Sequence, residues 1–180
     1  MGKTSAIDFF VKMKDALLVA LTTSSSSATL PVTIDCVQRK LGVHQKVANF
    51  VLPVGTTVNM DGTALYEAIA AIFIAQAYGV HLDLASMLAI VVTVIAASLG
   101  APGIPTVGMA TMVMVLEAAH LPVEAVAILI AIDRPLDTIR TALNVEGDAI
   151  GAIIINRFAQ RTERNYVGDF SKEQELVLEK

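Results

Sequence analysis

The sequence contains no tryptophan and a single cysteine, Cys36, among 180 residues. One thiol excludes an internal disulfide and leaves nothing from which to build a cysteine metal cluster. Charge is scarce as well: Lys, Arg, Asp and Glu make up 17% of the chain, against about 25% in ordinary soluble domains. The net charge of −4 offers no basic excess of the kind that draws nucleic acid. From Leu84 to Leu116 no residue is charged, and residues 16–34 and 68–82 are uncharged too. About 20 apolar residues cross a bilayer. With 54% hydrophobic residues and a mean hydropathy of +0.64, the composition predicts an all-α, multi-pass membrane protein. Lys12 and Lys14 precede an apolar run without a small-residue cleavage site after it, so no cleavable leader is expected.

The apolar runs are interrupted where plain spans would not be. Residues 8–22 lead into Thr23-Ser24-Ser25-Ser26-Ser27-Ala28-Thr29-Leu30-Pro31. Serine hydroxyls compete for backbone hydrogen bonds and proline removes a donor, so a broken helix is expected. The helical run 47–78 is interrupted at Asn59-Met60-Asp61-Gly62-Thr63, and the run 84–118 at Ser98-Leu99-Gly100-Ala101-Pro102-Gly103-Ile104-Pro105. The expected order is a re-entrant hairpin (8–36), a broken helix (47–78), a second re-entrant hairpin (84–118) and a long helix (123–158). A polar, partly disordered tail (159–180) follows. Each half repeats a broken hairpin and a polar helix, and paired interruptions in two halves point to a transporter binding site. Lys3, Lys12, Lys14, Arg39, Lys40, Lys46, Arg157, Arg161 and Arg164 flank the first hairpin and follow the last helix. The 78–83 and 117–124 segments carry only Asp83, Glu117, Glu124 and two histidines. The positive-inside rule therefore puts the termini and the 37–46 loop in the cytoplasm.

The last helix carries Asp133, Asp137, Arg140, Asn144 and Asp148 in an apolar setting. At about 100° per residue they fall within roughly 80° of one another, on one face. A single Asp or Arg at the centre of a membrane helix costs about 2.5–3.5 kcal/mol, so such a stripe marks a protein-lined, hydrated site. Arg140 either binds a carboxylate through its fork of donors or forms a structural pair with Asp137, which could also accept from a substrate ammonium. Asp61 either joins Asn59 and exposed carbonyls around a hard cation or sits in a satisfied polar kink. The Ser24–Ser27 and Gly100–Gly108 tips offer backbone N–H groups to an anion, or are loops. Glu67 is either a proton carrier or a carboxyl held by a partner. Met60, Met109, Met112 and Met114 are expected to pack, and His44, His81 and His120 to meet solvent. An intramembrane aspartyl protease built on Asp61 and Asp148 is disfavoured, because Val145-Glu146-Gly147-Asp148 lacks the first glycine of the usual Gly-x-Gly-Asp. No enzyme is expected.

The 23–31 and 59–63 motifs, Gly103-Ile104-Pro105, and Asp137-x-x-Arg140-Thr141-x-x-Asn144-x-x-Gly147-Asp148 together resemble the dicarboxylate/amino acid:cation symporters, the glutamate transporter family. The resemblance runs from about 8 to 158. It implies the C-terminal part of a transport domain that moves by an elevator motion against a homotrimeric scaffold in the cell membrane, with no cofactor beyond sodium as coupling ion. It implies that an acidic amino acid or dicarboxylate is held by Arg140, Asp137, Asn144 and Thr141, with Thr63 and the Ser26 backbone, and with Asp133 on the same face. The second hairpin, around Ile104 and Gly108, would be the gate. One sodium would lie among Gly55, Asn59, Asn144 and Asp148, a second at backbone near Thr57, Ser98, Leu99 and Ala101, and a third at Asp61 and Asn59. Glu67 resembles the acidic residue of proton-coupled members. An arginine that family members carry at the first tip or after the Asp of the last helix is replaced by Ser24 and Thr138, and Pro102 and Pro135 are further departures. The alternative is a transport-incompetent piece or binding module that needs the absent scaffold helices.

Overall fold

The computed structural model describes residues 5–99 and 103–178, with side chains described as far as residue 162. Every regular element among the described residues is helical. The first is α1 (Ala6–Thr23), which Ser5 caps by accepting from the Asp8 N–H at 3.1 Å. It ends at Ser24, whose backbone turns left-handed at φ 51° while its N–H still reaches the Ala20 carbonyl. Ser25 is extended, and its hydroxyl accepts from Ala28 N–H at 3.2 Å to start α2 (Ser26–Asp35). One serine thus ends a helix in the left-handed region, which non-glycine residues seldom adopt, and the next caps its successor, the position this residue type favours. A π-type turn over Cys36–Lys40 closes α2.

Helices α3 (Gln45–Val58) and α4 (Asp61–Ala77) are separated by Asn59 and Met60, both with non-helical backbone. Together they make a 33-residue stretch, Gln45–Ala77, long and apolar enough to cross a membrane. Next come α5 (Leu84–Ser98) and α6 (Val107–Ala118), which begins after Thr106 at φ 65°. Asp83 caps α5, its carboxylate accepting from Ser86 N–H at 2.8 Å, and that bond holds its carboxyl below the usual range. A short 3₁₀ turn at Val123–Ala125 leads into α7 (Val126–Leu178), which continues through Pro135.

The structure corrects the expected end of the last helix. The helix runs through Pro135 and does not end at 158, its backbone staying helical to Leu178. The segment after Phe158 is rich in Gln, Arg, Glu and Lys, residues that sustain a helix without an apolar face. Ala101 and Pro102 lie outside the described residues.

Helix α7 is the common wall of two cores. On one, α1, the π-type turn and α3 bury Met13, Ala16, Val37 and Leu52 against Val145, Ala149 and Ala152. On the other, α4, α5 and α6 bury Ala71, Ile74, Met112 and Leu116 with Ala125 and Leu129.

Candidate functional site

All five members of the α7 stripe are buried: Asp133, Asp137, Arg140, Asn144 and Asp148 are each at most 5% exposed. Their partners divide the stripe by depth. Arg140 Nη2 donates to Asp133 Oδ1 and to Asp137 Oδ1, both at 2.8 Å. The structural pairing left open by the sequence is therefore formed, and it is formed with two carboxylates. Among the described residues Nη1 of the same guanidinium has no partner. The guanidinium carbon stands 4.1 Å above the centre of the Tyr66 ring, a cation–π stack that fixes its plane. Gly108 faces Nη1 so closely that a Cβ there would lie 2.7 Å from it. A glycine, two acids and an aromatic ring thus frame one unsatisfied, buried donor.

Asp137 Oδ2 accepts from Thr106 N–H at 3.1 Å, which ties the start of α6 to α7, and Arg134 Nη1 stands 3.8 Å from the same oxygen. Thr141 is buried, and its hydroxyl donates to the Asp137 carbonyl at 2.9 Å. One turn deeper, Asn144 Oδ1 accepts from Gly62 N–H at 2.8 Å, and Nδ2 reaches Thr63 Oγ1 at 3.3 Å and Met60 Sδ at 3.2 Å. These bonds occupy the α3–α4 break, where the first N–H groups of α4 have no helical acceptor. Still deeper, Asn59 Nδ2 donates to Asp148 Oδ1 at 3.2 Å. The Asp148 carboxylate lies directly against Gly55, leaving no room for a Cβ, and Gly147 is pressed in the same way by Asp61 and Asn59. Asn59, Gly55, Asn144 and Asp148 therefore share one region, rich in the oxygen donors that suit a hard cation.

Other predicted residues stand apart from the stripe, except that Asp61 meets Asn59 over Gly147, where an added Cβ would collide with Asp61 Oδ2 and lie 2.7 Å from Asn59 Nδ2. Asp61 is exposed and faces an open hollow of about 230 Å³ with Glu146 and Gly147 in its wall. Thr57 is exposed, its hydroxyl donating to Val54 within α3. Ser98 is buried and donates to the Ile95 carbonyl, whereas Leu99 and Ile104 are exposed. Ser26 is buried at the first tip, beside Gly103. The two tips meet there: the Gly103 carbonyl accepts from Ser25 Oγ at 2.7 Å and from Ser27 N–H at 3.1 Å. Glu67 is fully buried, and Thr111 Oγ1 donates to its Oε1. Met114 is exposed, which corrects its assignment to packing, while Met60 and Met112 are buried. His44, His81 and His120 are exposed.

Sequence reasoning did not single out Tyr66, Arg134, the Thr106 N–H or the Met60 sulfur as parts of the site. Tyr66 and Met60 look like core residues, and a backbone N–H has no residue-type signal. Arg134 alone had one, an i,i+3 spacing to Asp137.

A family model described as the sodium:dicarboxylate symporter family matches residues 1–158. The chain is 54% identical over 153 residues to excitatory amino acid transporter 4 of Mus musculus, covering 85% of this chain and 27% of that protein. It is 52% identical over 145 residues to an excitatory amino acid transporter of Caenorhabditis elegans, covering 81% of this chain and 29% of that protein. With excitatory amino acid transporter 3 of Mus musculus it shares 49% identity over 173 residues, covering 92% of this chain and 33% of that protein. The chain spans a third or less of the length of these relatives.

Proposed function

The chain belongs to the sodium:dicarboxylate symporter family, and from that membership we propose that it forms the substrate- and sodium-binding part of a membrane carrier for acidic amino acids. The observation that carries the reading is Arg140. It is buried and stacked on Tyr66, and Nη1 is left without a partner beside the Gly108 cradle. A buried guanidinium nitrogen left unbonded is costly, and a carboxylate is its natural complement. Asp137 offers the opposite charge for an ammonium. An amino acid with an acidic side chain presents both groups, which supports glutamate or aspartate over an uncharged amino acid.

In this reading sodium is a co-substrate. Asp148, the Asn144 amide oxygen and the Gly55 carbonyl are hard oxygen donors. The amide and carbonyl oxygens each keep a second lone pair beyond the bonds made to Gly62 and Asn59. Asp61 is a separate cation ligand, and backbone near Thr57, Ser98 and Leu99 a further one. Helix pairs α1–α2 and α5–α6 act as re-entrant hairpins with meeting tips, and the second is the gate, since Thr106 N–H at its end holds the substrate-facing Asp137. Glu67, beside Thr111, is a candidate proton site. The whole carrier is a homotrimer in the cell membrane, with an elevator motion and cytoplasmic termini.

A second reading is favoured by the apolar hollow of about 380 Å³ between α4 and α7, floored by Gly62 and Arg140 and walled by Leu65, Ile69, Phe73 and Ile139. There the chain is a binding module that transports only with further helices against that face. Two measurements separate the readings. Binding of labelled aspartate to the detergent-solubilised chain, with sodium or choline, tests the site, and Arg140→Cys is expected to abolish it. Sodium-driven uptake into proteoliposomes tests autonomous transport. Binding without uptake selects the module, and aspartate binding unaffected by Arg140→Cys overturns both readings.

A further inference from the structure

Asp133, Asp137 and Arg140 place two carboxylates and one guanidinium in a space where none is more than 5% exposed. Both ion pairs leave from the same nitrogen, Arg140 Nη2. Formally the buried trio carries one excess negative charge, which an apolar interior tolerates poorly. Compensation comes from the mouth of the site. Arg134 lies less than one turn before Asp137, its side chain 61% exposed, with Nη1 3.8 Å from Asp137 Oδ2. Asp137 therefore stands between two cations: the buried Arg140 on Oδ1, and the solvent-facing Arg134 on Oδ2 beside the Thr106 N–H. At this length and exposure the outer pair is weak and readily released to water.

We propose that Arg134 is an internal competitor for the substrate's amino group at Asp137, and so tunes selection between amino-bearing and amino-free dicarboxylates. The inference rests on the substrate reading above. An incoming ammonium from the solvent side meets the oxygen that Arg134 holds. It replaces that loose pair with one of its own, and the arginine swings outward. A dicarboxylate without an amino group leaves Arg134 in place, and the trio stays neutralised from outside. With Arg134 removed, an amino-bearing substrate still brings its own cation to Asp137. An amino-free one must bind beside an uncompensated carboxylate. Arg134 therefore weakens discrimination against amino-free diacids while costing the amino acid little.

The test uses the full 180-residue chain in detergent with sodium. Labelled L-aspartate is displaced by unlabelled L-aspartate or by succinate, in the native protein, Arg134→Gln and Arg134→Lys. Arg134→Gln is expected to raise the ratio of the succinate to the aspartate displacement constant by about two- to fivefold, the scale of an exposed ion pair. Arg134→Lys is expected to keep it near the native value. Because the ratio is taken within one variant, a partial loss of folded protein cancels. An unchanged ratio overturns the role of Arg134 alone, and so does equal weakening of both ligands, which marks the arginine as a carboxylate ligand. A native chain that binds no aspartate overturns the substrate reading and this inference with it.

Discussion

Arg140 makes both of its ion pairs through one nitrogen, and the position of the other is set by a residue with no side chain. Gly108→Ala therefore sets two effects of opposite sign against each other. In a helix interior alanine is favoured over glycine by about 1 kcal/mol. The new Cβ, however, would stand 2.7 Å from Arg140 Nη1. A free arginine tip would move aside, but this one is held by Asp133, Asp137 and the Tyr66 ring. Because Gly108 sits in the first turn of α6 and the contact is overpacked by about 1–3 kcal/mol, the variant is expected to melt somewhat below the native protein and to bind aspartate at least about tenfold more weakly, the scale of one charge-assisted bond. Unchanged binding in a displacement assay would show that the Gly108 cradle does not face the ligand. At Gly55 an added Cβ would meet the Asp148 carboxylate instead. Gly55→Ala is expected to shift the sodium concentration for half-maximal aspartate binding upward, while succinate-to-aspartate discrimination stays unchanged. The α7 stripe was legible because helical periodicity and apolar flanks make five polar residues on one face conspicuous. Tyr66 was not, since only the fold brings its ring under Arg140.

Breaks between helices were readable as elements, because the residues that end helices are few. Ser24-Ser25 and Asn59-Met60 divide helices within the stretches where hydroxyl, amide and Asp-Gly chemistry accumulate. What could not be read was which serine does what. Ser25 both caps α2 and donates across to Gly103 at the opposite tip, and the second bond depends on two segments 78 residues apart. Ser25→Ala is expected to cost about 1–2 kcal/mol, as a cap and a buried bond lost together. Amide exchange should then quicken both at Ala28, whose N–H the cap holds, and at Ser27, whose N–H reaches the Gly103 carbonyl, whereas loss of a cap alone would quicken Ala28 and leave Ser27 protected. Asp83 offers the contrast of a purely local cap. Its carboxyl is held below the usual range by the Ser86 N–H, so its contribution is present above the ordinary carboxylate range and fades as pH falls through the lowered value. Protection of the Ser86 amide is expected to drop on acidification, and in Asp83→Ala to be low at every pH. The extent of α7 was misread because polar composition was taken for disorder, although the same residues propagate a helix once it is nucleated.

Across the whole molecule, charge and packing agree on which ends belong together. His44 N–H donates to Asn156 Oδ1 at 3.1 Å, which brings the 37–46 loop to the part of α7 that precedes Arg157 and Arg161. Phe9, Val37, Val43 and Ala152 are buried in one core at that end, with Lys40 paired to Asp15. At the other end, Ala75, Ala119, Leu121 and Ala125 are buried in the second core with Leu82 and Val123 against it. That end carries Asp83, Glu117 and Glu124. The basic residues thus collect at one pole and the acidic loops at the other. Between the poles the surface is apolar, with Leu65, Ile69, Leu88, Val92 and Ile95 exposed. A bilayer accepts such a belt, and the proposed orientation puts the basic pole on the cytoplasmic side, as the positive-inside rule expects. Cysteine labelling tests this in a chain whose one native thiol, Cys36, is buried and can be replaced by serine. In that background, His44→Cys and His81→Cys place single thiols at exposed histidines near opposite poles. In intact cells a membrane-impermeant maleimide is expected to label position 81 and to reach position 44 only after permeabilisation. Labelling of both before permeabilisation would show that the apolar belt does not separate two compartments, and the reverse pattern would invert the orientation.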